Sequence, residues 1–278
     1  MTKLVGILNI TPDSFSDGGK FDGIEDALAQ TQKLVEEGAQ MIDIGAESTR
    51  PGATPITSEQ EIARIKDILP AIIAQVKNHD QEIEVSIDSY HFETIKFAYE
   101  AGVDIINDVS GLKDEKIVDF IAKNGIKTIL MHSLSVPADP NIIVNSALGV
   151  AEEVLGWAVA KSKELQGKGV QKSQLIFDPG IGFSKDNQQS IRILKNINIY
   201  KALEMPIYVG HSKKRFLDDV YKDLVANNDK EQIMAARSLK TAMISAFLAQ
   251  NDVDYLRVHD VALNKEYIEK NIAEIAAF

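Results

Sequence analysis

The sequence predicts an α/β protein, a single (β/α)8 barrel of the TIM type spanning residues 1–278, and three observations carry that prediction. Short apolar runs alternate with longer amphipathic stretches along the whole chain. The runs are rich in Ile and Val and apolar on both faces, as parallel strands covered on both sides must be. Eight strand–helix units in about 250 residues are the arithmetic of such a barrel. A doubly wound open sheet is the competing architecture. It more often has fewer strands and a glycine fingerprint after the first, and no GxGxxG follows the first run here.

Strands are expected at residues 4–10, 41–46, 84–89, 104–109, 127–132, 174–178, 205–210 and 255–259. The helical patterns between them meet stop signals at Gly38, Gly102 and Gly125. Ser58 is placed to cap a helix, with Glu61 at the capping-box position and Ile62, Ile65, Ile68 and Leu69 following at helical spacing. The pattern at 231–249, with Ala235, Ala236, Ala242, Met243 and Ala246, suits packing on the barrel or a subunit face. Residues 133–146, with Pro137 and Pro140, are the least regular stretch, and 218–229 are a second irregularity. No linker or low-complexity segment divides the chain, so one domain is expected.

Hydrophobic residues make up 45% of the chain and charged residues 26%, which is ordinary for a soluble globular protein. A net charge of -11 argues against a nucleic-acid partner, since no basic excess exists to neutralise phosphates. It leaves room for a local basic pocket. The chain has no cysteine, which removes disulfides, thiolate metal sites and a cysteine nucleophile. Met1-Thr2-Lys3-Leu4-Val5 shows no signal-peptide pattern and no run approaches a membrane span. A cytoplasmic location with no membrane partner is therefore expected.

A barrel of this kind places its active site at the C-terminal ends of the strands. Those ends read Asn9, Asp43 with Glu47, Asp88, Asn107, His132, Asp178, Ser212, and Arg257 with His259 and Asp260. A single strand-end Asp is commonly a turn former or a helix cap. A polar residue at every end points instead to one shared site. Asp88, Asn107 and Asp178 form a wall of acceptors and amide groups that suits a flat heterocycle with adjacent N–H donors. Arg50, Lys214, Arg257 and His259 supply positive charge suited to pyrophosphate or carboxylate. The pocket thus divides into an acidic floor and a basic rim. Gly210-His211-Ser212-Lys213-Lys214-Arg215-Phe216 adds donors at a natural anion site.

Two polar loops complete the pattern. Gly6-Ile7-Leu8-Asn9-Ile10-Thr11-Pro12-Asp13-Ser14-Phe15-Ser16-Asp17-Gly18-Gly19 and Met41-Ile42-Asp43-Ile44-Gly45-Ala46-Glu47-Ser48-Thr49-Arg50-Pro51-Gly52 each run from an apolar strand into a loop holding proline and glycine. They are expected to fold over one ligand. Blander readings apply to other residues. Asp43 and Glu47 read as anchors of the second loop through its backbone N–H groups. His79 and His91 read as surface or cap residues, and Trp157 as packing. Lys161, Lys163 and Lys168 read as a solvated helix end. His211 and Lys213 stay open between solvent-facing and catalytic.

The two loops, with Ser86-Ile87-Asp88-Ser89, Ile106-Asn107-Asp108-Val109, Asp178-Pro179-Gly180-Ile181-Gly182-Phe183, the 210–216 segment and Arg257-Val258-His259-Asp260, resemble the motifs of the dihydropteroate synthases. They fall in the family's order and cover nearly the whole chain. The resemblance implies a folate-pathway enzyme and sulfonamide target. It would condense 6-hydroxymethyl-7,8-dihydropterin diphosphate with p-aminobenzoate, giving 7,8-dihydropteroate and diphosphate. Carried over by motif, Asp178, Asn107 and Asp88 would hold the pterin, with Lys214 on its polar edge and Met131 and Phe183 as apolar contacts. Asn9, Arg257 and His259 would hold diphosphate, with Mg2+ joining through Asn9. Thr49, Arg50, Pro51 and Ser212 would form the p-aminobenzoate subsite. The resemblance also implies a homodimer.

An arylamine is a weak nucleophile, so a dissociative route is expected, with Asp88 and Asp178 favouring a pterin methylene cation and Mg2+, Arg257 and His259 favouring the departing diphosphate. Asp88, Asp178, Lys214, Arg257 and His259 are thus the catalytic set. Two departures stand out. Met131-His132 runs into Ser133-Leu134-Ser135-Val136-Pro137 where the family more usually has a polar residue and glycine, and Lys213 replaces a commoner arginine. The alternatives are a methyl-folate:corrinoid methyltransferase and a non-catalytic pterin-binding paralogue. The first has no use for Thr49-Arg50-Pro51 or an Arg257/His259 pair, and the second none for the complete set.

Overall fold

The computed structural model describes residues 1–11, 20–49, 52–139, 141–145, 149–220 and 230–271. Eight parallel strands curl into a nearly closed barrel. They are β1 (Lys3–Asn9), β2 (Met41–Gly45), β3 (Glu84–Asp88), β4 (Ile105–Asp108), β5 (Lys127–Met131), β6 (Leu175–Asp178), β7 (Tyr208–Val209) and β8 (Tyr255–Val258). The hydrogen-bonded order is β6-β5-β4-β3-β2-β1-β8-β7. The seam between β6 and β7 is spanned by one bridge, Phe177 to Ile207, and by Phe177 N donating to the Pro206 carbonyl at 2.8 Å. β7 is shorter than the 205–210 expected: Pro206 has no N–H for a ladder, and the Ile207 N–H goes to the Asp254 carboxylate at 2.7 Å.

Helices follow the strands in the predicted alternation. They are α1 (Lys20–Glu36), α2 (Ser58–Ile65), α3 (Ile68–Lys77), α4 (Phe92–Ala101), α5 (Glu115–Asn124), α6 (Val150–Gly167), α7 (Asn187–Lys195), α8 (Lys230–Gln250) and α9 (Val261–Glu269). Gly102 and Gly125 end α4 and α5 in the left-handed conformation, as their positions implied. The α2 cap lies one residue earlier than expected. Thr57, not Ser58, has the extended backbone of an N-cap. Its Oγ1 accepts from Gln60 N at 3.3 Å, while Gln60 Oε1 accepts from Thr57 N at 2.9 Å. Glu61 turns inward instead and is fully buried, accepting from Ser89 Oγ at 2.8 Å.

Two apolar layers result from the period-two alternation of the strands. Side chains pointing outward pack beneath the helices in the larger core. Val5, Met41, Ile105, Ile129, Ile176, Tyr208 and Tyr255 point inward and fill the barrel. Below them Glu84 holds Lys3 at 2.8 Å and Lys127 at 3.3 Å, and Lys3 lies over the Tyr255 ring. Two residues further along the strands the inward positions become polar, at Asp43, Asn107, Asp178 and Arg257. The same alternation that packs the barrel therefore builds a polar floor above it. Among the described residues no helix is long and apolar enough to cross a membrane.

The cap correction has a direct test. Thr57→Ala is expected to lower unfolding free energy by about 1 kcal/mol, and Ser58→Ala by a few tenths at most, in urea denaturation. Equal effects would contradict the assignment.

Candidate active site

A cavity of about 1190 Å³ opens at the C-terminal end of the barrel. Of the residues expected there, Asn9, Thr49, Asp88, Asn107, Met131, Asp178, Phe183, Ser212, Lys214, Arg257 and His259 all line it. Arg50, Pro51 and the 12–19 part of the first loop lie outside the described residues.

The floor is organised around Asp43, which is fully buried. Its carboxylate accepts from Ser86 Oγ at 2.6 Å, Asn107 Nδ2 at 3.2 Å and Arg257 Nε at 2.5 Å. Arg257 Nη2 donates to Asp88 at 2.9 Å. This corrects two expectations. Asp43 does not anchor the second loop; it points into the barrel, because it sits two residues after the inward-facing Met41. Arg257 belongs to the acidic floor, not to a basic rim, since two carboxylates clasp it. Burial opposes its charge, and Asp43 and Asp88 outweigh that, raising its pKa above the ordinary value. Burial pushes Asp88 up to about 7, with Arg257 opposing and Asp43 adding to the rise. Because Asn107 turns its NH2 to Asp43, its amide oxygen is left for a ligand's donor.

Asp178 is 5% exposed, and burial raises its pKa against the pull of Lys214, the Gly180 N–H, Lys185 and Arg257. One oxygen accepts from Gly180 N at 2.7 Å, which orients the carboxylate. Lys214 extends from the loop after β7, donates to the Ile181 carbonyl and lies 4.7 Å over the Phe183 ring. Gly182, at φ +75, holds a left-handed backbone that favours glycine, beside the lysine stem. Ser212 Oγ accepts from His259 N at 3.2 Å and stands 2.9 Å from His259 Nδ1, joining the ends of β7 and β8.

His211, left open by the sequence, is buried rather than solvent-facing. Its Nε2 lies 3.0 Å from Ser245 Oγ and 3.2 Å from the Thr241 carbonyl, and burial pulls it down to about 4. It ties the loop after β7 to α8. Lys213 takes a left-handed backbone with its N–H on Thr241 Oγ1. Trp157 packs, with its ring edge-on to His132. His91 stands at the N-cap position of α4 without a side-chain cap bond.

Glu47 does anchor the second loop. It accepts from Ile56 N at 3.2 Å, from Tyr90 Oη at 2.8 Å, and faces His91 Nε2 at 3.0 Å. The unusual segment after β5 is held as well: Leu134 N donates to Ser184 Oγ, Val144 N to the Ser184 carbonyl and Ala138 N to the Thr49 carbonyl. Ser184 and Lys185, which the sequence reading passed over, therefore link the loops after β5 and β6. Their only signal was position, directly after Gly182-Phe183. Among the described residues there is no group of three or more His, Asp or Glu able to hold a metal. The donor set on offer is oxygen, with the Asn9 amide at the end of β1 among the lining groups.

The profile of the family described as "Pterin binding enzyme" matches residues 5–259. A dihydropteroate synthase of Streptococcus pyogenes is 36% identical over 95% of this chain and 92% of its own length. A probable bifunctional folylpolyglutamate synthase/dihydropteroate synthase of Haloferax volcanii is also 36% identical over 95% of this chain, which spans 29% of that longer protein. The crystal structure of dihydropteroate synthase from Anaplasma phagocytophilum with bound 6-hydroxymethylpterin-monophosphate superposes with a TM-score of 0.84 at 37% identity, covering 97% of this chain and 98% of the other. A barrel with this acceptor-rich floor defines a pterin-binding enzyme. The chain belongs to that family and, within it, to the dihydropteroate synthases.

The floor predicts a specific vulnerability. Asp43→Ala leaves the Arg257, Asn107 and Ser86 donors without their shared acceptor. It is expected to cost about 3–5 kcal/mol in chemical denaturation, the range for breaking a buried ion pair from one side. A cost below about 1 kcal/mol would contradict this arrangement.

Proposed function

We propose that this chain condenses 6-hydroxymethyl-7,8-dihydropterin diphosphate with p-aminobenzoate to form 7,8-dihydropteroate and diphosphate. The observation that carries the reading is the floor's acceptor pattern. Asp178 is held as an oriented carboxylate, and Asn107 is turned so that its carbonyl faces the cavity. That pattern complements the row of N–H donors on one edge of a pterin. Family membership and the pterin bound by the Anaplasma relative support it.

In this reading Asp178 and Asn107 accept from the pterin edge, Asp88 lines the opposite edge, and Met131 and Phe183 pack against the ring. Lys214 covers Phe183 and reaches the pterin's polar edge. Asn9 and His259, at the tops of β1 and β8, take the diphosphate. Arg257 gives Nε–H to Asp43 and one Nη2–H to Asp88, which leaves three of the five guanidinium donors for it. Thr49 and Ser212 face p-aminobenzoate, with Arg50 and Pro51 completing that subsite. Oxygen donors suit Mg2+, which commonly takes one or two protein oxygens and leaves the rest to phosphate. Asn9 would hold it, and when bound it would supply charge to neutralise the leaving group. The reading also carries a homodimer in the cytoplasm, with α8 as a candidate subunit face.

The chemistry follows from charge. Carbon–oxygen cleavage generates a methylene cation conjugated with the dihydropterin ring, and the carboxylates of Asp88 and Asp178 stabilise it across a low-dielectric cavity. The arylamine nitrogen then attacks the cation, forming the C–N bond, and its surplus proton passes to the released diphosphate or to solvent. Exclusion of water from the filled cavity keeps water from competing.

Purified protein with Mg2+ and the dihydropterin diphosphate is expected to release diphosphate only when p-aminobenzoate is present, with dihydropteroate identified by mass. Pterin binding without turnover would overturn the catalytic reading. Asp178→Asn is expected to weaken dihydropterin binding by about 10- to 100-fold in calorimetry, as loss of a charged acceptor should. The acid limb of kcat/KM is expected near pH 7. Asp88 has a raised pKa, so its carboxylate is present above about 7 and is lost as pH falls through that value. The limb should disappear in Asp88→Asn.

A further inference from the structure

Lys185 is part of the cavity wall yet only 6% exposed. Its Nζ is 2.8 Å from His132 Nδ1, 3.2 Å from the His132 carbonyl and 2.8 Å from the Phe183 carbonyl. His132 is buried too, with Trp157 edge-on to its ring at 4.8 Å. Gly180, at φ +70, packs so closely that a Cβ there would fall 2.1 Å from the His132 carbonyl oxygen. The reaction described above uses neither Lys185 nor His132.

Counting donors fixes the protonation pattern. An ammonium has three N–H donors and no acceptor. Three acceptors surround Nζ here, provided that His132 Nδ1 is unprotonated and the ring proton sits on Nε2. A neutral amine has two N–H donors and one lone pair. It satisfies the same three partners only if His132 carries its proton on Nδ1.

We propose that Lys185 is a positioning residue for the pterin pocket and acts as half of a dyad with His132, pinning the loops after β5 and β6 in either of two proton arrangements. In the first, the ammonium donates to His132 Nδ1 and to both carbonyls. In the second, Lys185 has given one proton to solvent and its lone pair accepts from His132 Nδ1–H. The imidazole is neutral in both and differs only in tautomer. Met131, next to His132, and Phe183, whose carbonyl is held, keep their places throughout. What changes is the positive charge behind Asp178.

The surroundings agree. Burial pulls Lys185 down to about 7, with Asp178 of β6 opposing and Lys214 after β7 reinforcing. Burial pulls His132 down to about 3, with Lys185 and then Lys113, after β4, adding to it. The switch thus falls near neutral pH and the imidazolium never forms there. Only the consequence for pterin rests on the dihydropteroate synthase reading.

Long-range proton–nitrogen spectra of the full chain labelled at histidine nitrogen test the dyad, with His132→Gln assigning its signals among the five histidines. The expected result is a neutral His132 from about pH 5 to about pH 9, protonated at Nε2 at the acid end and at Nδ1 at the alkaline end. An imidazolium forming near the ordinary histidine value, or one unchanging tautomer, overturns the proposal. Lys185→Met supplies the functional arm. It removes a cation that holds Asp178 ionised, so the acid limb of dihydropterin affinity should move to higher pH. It should also cut kcat/KM by up to about 100-fold, mainly through KM for the dihydropterin, as wall displacement does. A variant that loses only stability, with the limb unmoved, shows Lys185 to be merely structural. If the wild-type chain proves inactive, the function reading fails while the spectra still decide the dyad.

Discussion

The site depends on one ion cluster inside the barrel, Arg257 held between Asp43 and Asp88. Charges this deep are costly unless paired, and the pairing is what permits a carboxylate floor at all. Asp43 also takes Ser86 and Asn107, so one side chain organises groups from β3, β4 and β8. The cluster leaves a floor that is polar, ordered and rich in acceptors. A flat ring carrying several N–H donors is the ligand it serves. Its charge balance is also poised: Asp88 titrates near neutrality because burial and Asp43 work against Arg257.

The architecture was legible because apolar runs at strand spacing are a strong signal when buried on both faces. The run at 41–46 and the strand Met41–Gly45 differ by one residue, and the helix expected at 231–249 spans Lys230–Gln250. The misses have local causes. Thr57 and Ser58 are chemically alike, and only backbone torsion decides which of them caps. β7 is short at the seam, where Pro206 lacks an N–H and the Ile207 N–H goes to Asp254.

The candidate site was legible in its membership but less so in its wiring. Strand-end position identified Asn9, Asp88, Asn107, Asp178, Ser212, Arg257 and His259, since the fold sends those ends to one face. Thr49, Met131 and Phe183 came from the family resemblance, and the strand-end residues Asp43, His132 and Asp260 do not line the cavity. Position could not tell that Arg257 is clasped by two carboxylates. That depends on side chains from strands far apart in sequence meeting across the barrel. Asp43 was misread for the same reason, although the step of two from Met41 marks it as inward. Lys185 escaped because a lysine in a loop reads as solvated unless its neighbours are known to bury it.

The other end of the barrel gives the floor its character. Glu84 closes that end with Lys3 and Lys127, and a continuous apolar layer from Val5 to Tyr255 lies above it. Among the described residues, Asp88 and Asp178 face the cavity at the opposite, C-terminal end. A ligand seated there covers them. Such a ligand deepens the burial of Asp88 and Asp178, and burial is already what raises both, so filling the cavity works against their charge unless the ligand brings donors of its own.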